Sequence, residues 1–191
     1  MERDRLTAFT DGVLAIIVTI MVLELRPPHG TTLKDLAELW PVFLSYLLSF
    51  IYIGIYWNNH HHFFQLVRRV NGAVLWANLH LLFWLSLVPF ATAWMGENYL
   101  APIPTALYGV SLLTAALAWL AMQMVIYRAQ GPDSPLRRAL GRDLKGKISA
   151  FLYLTGIGMA FVNPAAADLV YAGVALIWLI PDRRVEASLR A

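Results

Sequence analysis

Cysteine is absent from the 191 residues. Neither a disulfide framework nor a thiolate metal site can therefore be built. Charge is scarce too: Asp, Glu, Lys and Arg make up 14% of the chain, against about a quarter in an ordinary soluble domain. Nor is there a glycine-rich phosphate loop, a pair of catalytic carboxylates or a nucleophile beside a base, so an enzyme reading has no site to rest on. There is no Thr-Val-Gly-Tyr-Gly filter and no clear internal repeat.

Apolar residues fill the space that charge leaves. Hydrophobic residues make up 59% of the chain, and mean hydropathy is +0.57. That is more apolar surface than one small core can bury, and lipid is the place for the remainder. Crossing about 30 Å of hydrocarbon takes about 20 apolar residues in a helix. The apolar runs predict an all-α, polytopic membrane protein with six transmembrane helices in a single domain, 1–191. The expected helices cover 6–26, 37–68, 72–95, 103–128, 145–163 and 165–181. Pro89 is expected to kink the third, and Asn163-Pro164 to turn the fifth tightly into the sixth. The stretch from Ala129 to Gly146 reads as an inner loop. The first run is followed by Glu24-Leu25-Arg26-Pro27-Pro28 rather than a small-residue cleavage site, which argues against a secretory signal.

Basic residues test the map independently, because cytoplasmic loops are enriched in Lys and Arg. With the N-terminus inside, the inner segments hold Arg3, Arg5, Arg68, Arg69, Arg128 and the eight basic residues from Arg137 onward. Only Arg26 and Lys34 fall outside, a partition of thirteen against two. Both termini are expected to be cytoplasmic, and the net charge of +3 reads as topology rather than as a nucleic-acid footprint. Trp40 and Trp94 fall at the outer interface and Trp57, Trp76 and Trp178 toward the inner one, depths that suit amphipathic rings. Ala115, Ala118, Ala121, Gly156 and Ala160 recur at helical spacing and permit close helix packing.

The first helix opens Arg5-Leu6-Thr7-Ala8-Phe9-Thr10-Asp11-Gly12. Asp11 is an ionisable group inside a span and needs a partner or water. Beyond it, Gly12 or Val13 with Ile16, Ile20 and Leu23 forms one stripe at spacings of three and four, with Thr19 beside it. Such a stripe suits packing on a neighbour or on lipid. It equally suits several copies meeting at a symmetry axis around a narrow pore, where a ring of isoleucine excludes water and gates conduction. Spacing alone leaves both open.

Three consecutive histidines, His60, His61 and His62, point about 100° apart on a helix and cannot converge on one ion. No Asp or Glu accompanies them, so no metal is expected. His60 or His61 instead lies at a depth suited to hydrogen bonding with Arg5, Asp11 or Asn78. Asp168 reads most simply as a cap of the sixth helix. Glu24 is expected to pair with Arg26 or meet lipid head groups, unless it concentrates cations at an outer mouth.

Arg-x-x-x-Phe-Thr-Asp-Gly resembles the Arg-x-x-x-Phe-Ser-Asp-Gly signature of the transmembrane protein 175 family of potassium-permeable channels. Trp57-Asn58-Asn59-His60-His61 resembles that family's Trp-x-x-His-His block. Asn78-Leu79, Leu87-Val88-Pro89-Phe90, Thr92, Gly96 and Glu97 resemble its third helix and following loop. The main departure is Thr10 in place of serine, which keeps the hydroxyl. The resemblance implies a homotetramer in the plasma membrane that conducts potassium and other monovalent cations through a pore lined by the first helices. It places the constriction at Ile16, further apolar rings at Ile20 and Leu23, and a selectivity-linked hydroxyl at Thr19. Arg5, Phe9, Thr10, Asp11, Gly12, His60, His61 and Asn78 form the implied structural network. No cofactor is implied. The alternative is a secondary transporter or proton-coupled carrier, against which the uncharged middle of every span counts.

Overall fold

The computed structural model describes residues 3–131 and 144–179. Eight helices and no strand occur among them: α1 (Arg3–Leu23), α2 (Leu33–Ala37), α3 (Trp40–Gln65), α4 (Gly72–Ser86), α5 (Val88–Glu97), α6 (Pro102–Gln130), α7 (Leu144–Ala160) and α8 (Pro164–Leu179). Four stretches are long and apolar enough to cross a membrane: α1, α3, α4 with α5, and α6. The apolar α8 is shorter, at 16 residues. Most of the expected inner loop and the tail beyond α8, with Arg137, Arg138, Arg142, Arg183, Arg184 and Arg190, lie outside the described residues.

Helix ends follow local chemistry and shift several expected boundaries. The first helix stops at Leu23 rather than 26, with Pro27-Pro28 just beyond, since the residue before a proline is driven away from helical angles. The third expected span is one stretch broken at Leu87, two residues before Pro89, where the expected kink falls. Pro89 lies in the first turn of α5 and has no N–H to offer Leu85, so the ladder restarts at Leu87. The second helix ends at Gln65 rather than near 68, with Leu66 as its C-cap. Ala129 and Gln130 close α6, and Lys145 and Gly146 lie in α7, so these ends of the expected loop are helical. Gly131 takes φ +83° after α6, a backbone angle that glycine adopts without a Cβ penalty.

Two features run against expectation. Leu33–Ala37 form a short helix, α2, that hydropathy did not signal. It is opened by a capping box in which Thr32 donates to Asp35 from its backbone at 2.8 Å and from its hydroxyl at 2.5 Å. Those hydrogen bonds, the hydroxyl's first, hold the Asp35 carboxyl below its usual 3.8. Asp168 does not cap α8. Asn163 does, its side chain accepting from the Ala166 N–H at 3.2 Å, because a cap must stand outside the first turn. Asp168 lies five residues into the helix, facing a groove described below.

Packing divides the helices into two cores. One joins α1 to α3, α4 and α6 through Leu6, Leu14, Ile17, Phe64, Leu81 and Met122. The other joins α3, α5, α6, α7 and α8 around Tyr52, Tyr108, Tyr153 and Tyr171. The Tyr171 ring lies where Gly109 and Gly156 give it room, and a Cβ at either glycine would collide with it. Large apolar side chains remain exposed on every described helix, including Trp76, Phe90, Ile103, Phe151 and Leu169. A bilayer, not water, suits such a surface.

Candidate pore helix and its anchoring network

Helix α1 has two faces. Leu6, Thr10, Leu14, Ile17 and Met21 are buried, at steps of four, four, three and four, and pack toward α3, α4 and α5. The opposite face is uncovered: Ile16 is 59% exposed, Ile20 41% and Leu23 78%. Gly12 stands in the same row, and nothing lies within 4 Å of where its Cβ would be. From Gly12 to Leu23 this face carries no charge. Thr19 is also exposed, and its hydroxyl donates to the Ile16 carbonyl at 2.8 Å. The hydroxyl hydrogen is thereby occupied, and the oxygen lone pairs remain free to meet a cation.

Polar contacts gather at the N-terminal half of α1. Asn78 of α4 donates from Nδ2 to Thr10 Oγ1 at 2.9 Å. Its Oδ1 lies 2.9 Å from His60 Nε2 of α3, and since the amide oxygen can only accept, His60 carries its proton on Nε2. Thr10, His60 and Asn78 are all buried, and the imidazole stacks on Phe64 with centroids 4.3 Å apart. One asparagine thus ties three helices together. Asp11 is exposed and accepts from the Trp57 indole N–H at 3.1 Å. His61 stacks on Trp57 and receives a hydrogen bond from Gln65 at 2.9 Å. The Gln65 carbonyl in turn accepts from Arg3 at 3.4 Å.

Of the residues that the sequence singles out, Thr10, His60 and Asn78 meet in one cluster. Asp11 and His61 meet through Trp57. Arg5 and Phe9 stand on the exposed side, and Arg5 makes no ion pair or hydrogen bond with the described residues. Trp57 is the partner that sequence reading missed. Its signal was present: an indole N–H at interface depth usually seeks an acceptor, and Asp11 is the acid at that depth. Glu24 and Arg26 line one crevice without pairing among the described residues. No cluster of three metal-ligating side chains occurs among those residues.

The family model for the endosomal/lysosomal potassium channel TMEM175 matches residues 5–89, the stretch that holds α1, α3, α4 and this network. A potassium channel of Chryseobacterium sp. is 53% identical over 190 residues, spanning 100% of this chain and 99% of its own. The chain belongs to the TMEM175 family. A second relative, a potassium channel of Streptomyces collinus, is 31% identical over 175 residues, with 85% of this chain and 84% of that one aligned. The crystal structure of a lysosomal potassium-selective channel TMEM175 homolog from Chamaesiphon minutus superposes with TM-score 0.79 at 29% identity. It covers 95% of this chain and 98% of that one. TMEM175 proteins are channels and not enzymes, and the family places this chain in a membrane that it crosses several times. That likeness of fold covers 95% of the chain and so extends beyond the residues that the family model matches.

Proposed function

We propose that this chain is one subunit of a potassium-permeable channel in the plasma membrane, with α1 of each copy lining a central pore. The observation that carries the reading is the uncovered, uncharged face of α1, Gly12–Ile16–Ile20–Leu23, directly opposite the face that packs within the subunit. A helix in a lone bundle gains little by keeping its most regular apolar row unpacked. At a symmetry axis that row meets its own copies. A homotetramer closes such a ring, Ile16 forms the narrowest ring, and Ile20 and Leu23 form wider ones toward the outer end. Conduction follows the electrochemical gradient, and opening requires the isoleucine ring to widen until water enters. Thr19 offers a hydroxyl oxygen beside the constriction and biases the pore toward cations.

The buried Thr10–Asn78–His60 bridge and the Asp11–Trp57 bond hold the inner end of α1 in register, with His61 bracing Trp57. Arg5 and Phe9 stand where a neighbouring subunit meets them. Six crossings in one domain, with both termini cytoplasmic, support this arrangement through the thirteen-to-two partition of basic residues. They take the α7–α8 hairpin as the last two spans. Potassium is the permeant ion of the named relatives, and other monovalent cations follow the same route.

The test is a planar-bilayer recording in asymmetric potassium and sodium, comparing wild type with Ile16→Asn. The polar ring hydrates the constriction, so current rises while the reversal potential moves toward zero. Unchanged conductance in a variant of wild-type fold and oligomeric mass removes Ile16 from the ion path.

A further inference from the structure

Away from α1, a groove of about 420 Å³ opens between α3 and α8. Its walls are apolar rows at helical spacing: Leu44, Leu47, Leu48 and Ile51 from α3, with Leu169 and Ala172 from α8. At one end the two helices touch, where the Tyr52 hydroxyl donates to the Tyr171 carbonyl at 2.5 Å. At the other stands Tyr99, edge to face with Trp40 at 4.7 Å between centroids, an aromatic pair at the depth of the membrane interface.

Asp168 breaks the apolar lining. Its Oδ1 is sealed from solvent and has no hydrogen-bond partner among the described residues. The two tyrosines within electrostatic reach, Tyr108 and Tyr171, have no proton to give it. Tyr171 donates to the Thr105 carbonyl at 3.4 Å. Tyr108 heads a directed relay. Thr92 donates to the Val88 carbonyl at 2.7 Å, so Ser49 must donate to Thr92 at 2.7 Å, and Tyr108 must then donate to Ser49 at 2.9 Å. Neither Arg26 nor Lys34, the basic residues of the outer loops, lines the groove. Asp168 as a whole is only partly buried, so its carboxylate charge faces the groove although Oδ1 itself is covered, and an apolar trough carrying a carboxylate is complementary to an apolar tail ending in an ammonium.

We propose that this groove seats one phospholipid bearing a primary ammonium, its head group donating to Asp168 and an acyl chain lying along the Leu44–Ile51 wall. A choline head has no N–H to donate. A phosphatidylglycerol head brings no cation to offset its phosphate. The site requires only that the chain reside in a bilayer and stands apart from the pore reading.

The experiment is native mass spectrometry of the full-length oligomer, delipidated and titrated with phosphatidylethanolamine, phosphatidylcholine and phosphatidylglycerol of identical acyl chains. Phosphatidylethanolamine is retained about tenfold more tightly than phosphatidylcholine, the equivalent of about 1.4 kcal/mol. Asp168→Asn, isosteric and uncharged, brings it down to the choline level. Leu47→Trp fills the trough without touching the carboxyl and lowers retention of both lipids, which keeps the test intact if Asp168→Asn fails to fold. Three results overturn the proposal. They are equal retention of the two lipids by wild type, as when a water satisfies Asp168; a preference that survives Asp168→Asn; and no lipid retained, as when another copy of the chain covers the groove.

Discussion

Replacing Thr10 by valine and Asn78 by leucine, singly and together, weighs the bridge that fixes the N-terminal half of α1. Each substitution keeps the size of the side chain and removes its hydrogen-bonding groups. The structure has two bonds at stake, Asn78 to Thr10 and His60 to Asn78, each 2.9 Å long and buried at both ends. Interhelical hydrogen bonds inside membranes average about 0.6 kcal/mol and reach about 1.7. A buried donor or acceptor left unpaired costs about 1–3 kcal/mol. Thr10→Val breaks one bond and strands the Asn78 amide N–H, for a loss of about 1–2 kcal/mol. Asn78→Leu breaks both and strands His60 Nε2–H and Thr10 Oγ1, for about 2–4 kcal/mol. In the double variant only His60 is stranded, so it costs no more than Asn78→Leu alone, and the loss falls short of the sum of the singles by at least the about 1–2 kcal/mol of Thr10→Val. Reversible unfolding in mixed detergent micelles, followed by far-ultraviolet circular dichroism, measures all four corners of the cycle. Independent sites add to within about 0.3–0.5 kcal/mol. Additivity within that margin refutes a Thr10–Asn78 bond and with it the bridge from α4 to α1.

Three further outcomes follow from the same structure. Gly12→Ala meets nothing within 4 Å in the subunit and gains about 0.5–1 kcal/mol of helix propensity. Its stability in the unfolding assay holds or rises while current per channel falls; wild-type current would place this face on lipid. Gly156→Ala drives a methyl group into the Tyr171 ring, an overpacking that costs about 1–3 kcal/mol, and thermal unfolding should show the loss without a change in ion selectivity. Asp35 is held below its usual 3.8 by Thr32, so the α2 cap contributes stability above that pH and loses it as pH falls through the lowered value. Hydrogen exchange across α2, corrected for intrinsic rate, should accelerate in acid and show no such step in Asp35→Asn.

The sequence could reveal contacts only where chemistry acts along the chain. Pro27-Pro28, Pro89 and Asn163-Pro164 end or restart helices because a missing N–H and a fixed φ act within one turn. The α2 capping box was missed although Thr32 and Asp35 stood in plain spacing, because a helix of five residues is too short to leave a hydropathy signal. Assigning the cap to Asp168 rather than Asn163 failed by less than two turns of helix, yet that distance separates a group that can reach free N–H donors from one that cannot. His60 and His61 looked alike as partners for α1. The fold buries the first against Asn78 and leaves the second outside with Trp57 and Gln65.

By itself the sequence determined residence in a membrane, the positions of the helical stretches and the uncharged stripe of α1, since hydropathy, proline and period are properties of single segments. The tertiary structure decided which side of α1 is left uncovered, that Asp11 bonds Trp57 rather than a histidine, and that Asp168 lines a groove with its Oδ1 unmatched by any donor among the described residues. Side-chain direction along one helix is set by 100° per residue. The rotation and depth at which another helix meets it are set by packing across the whole bundle, and no single segment encodes them.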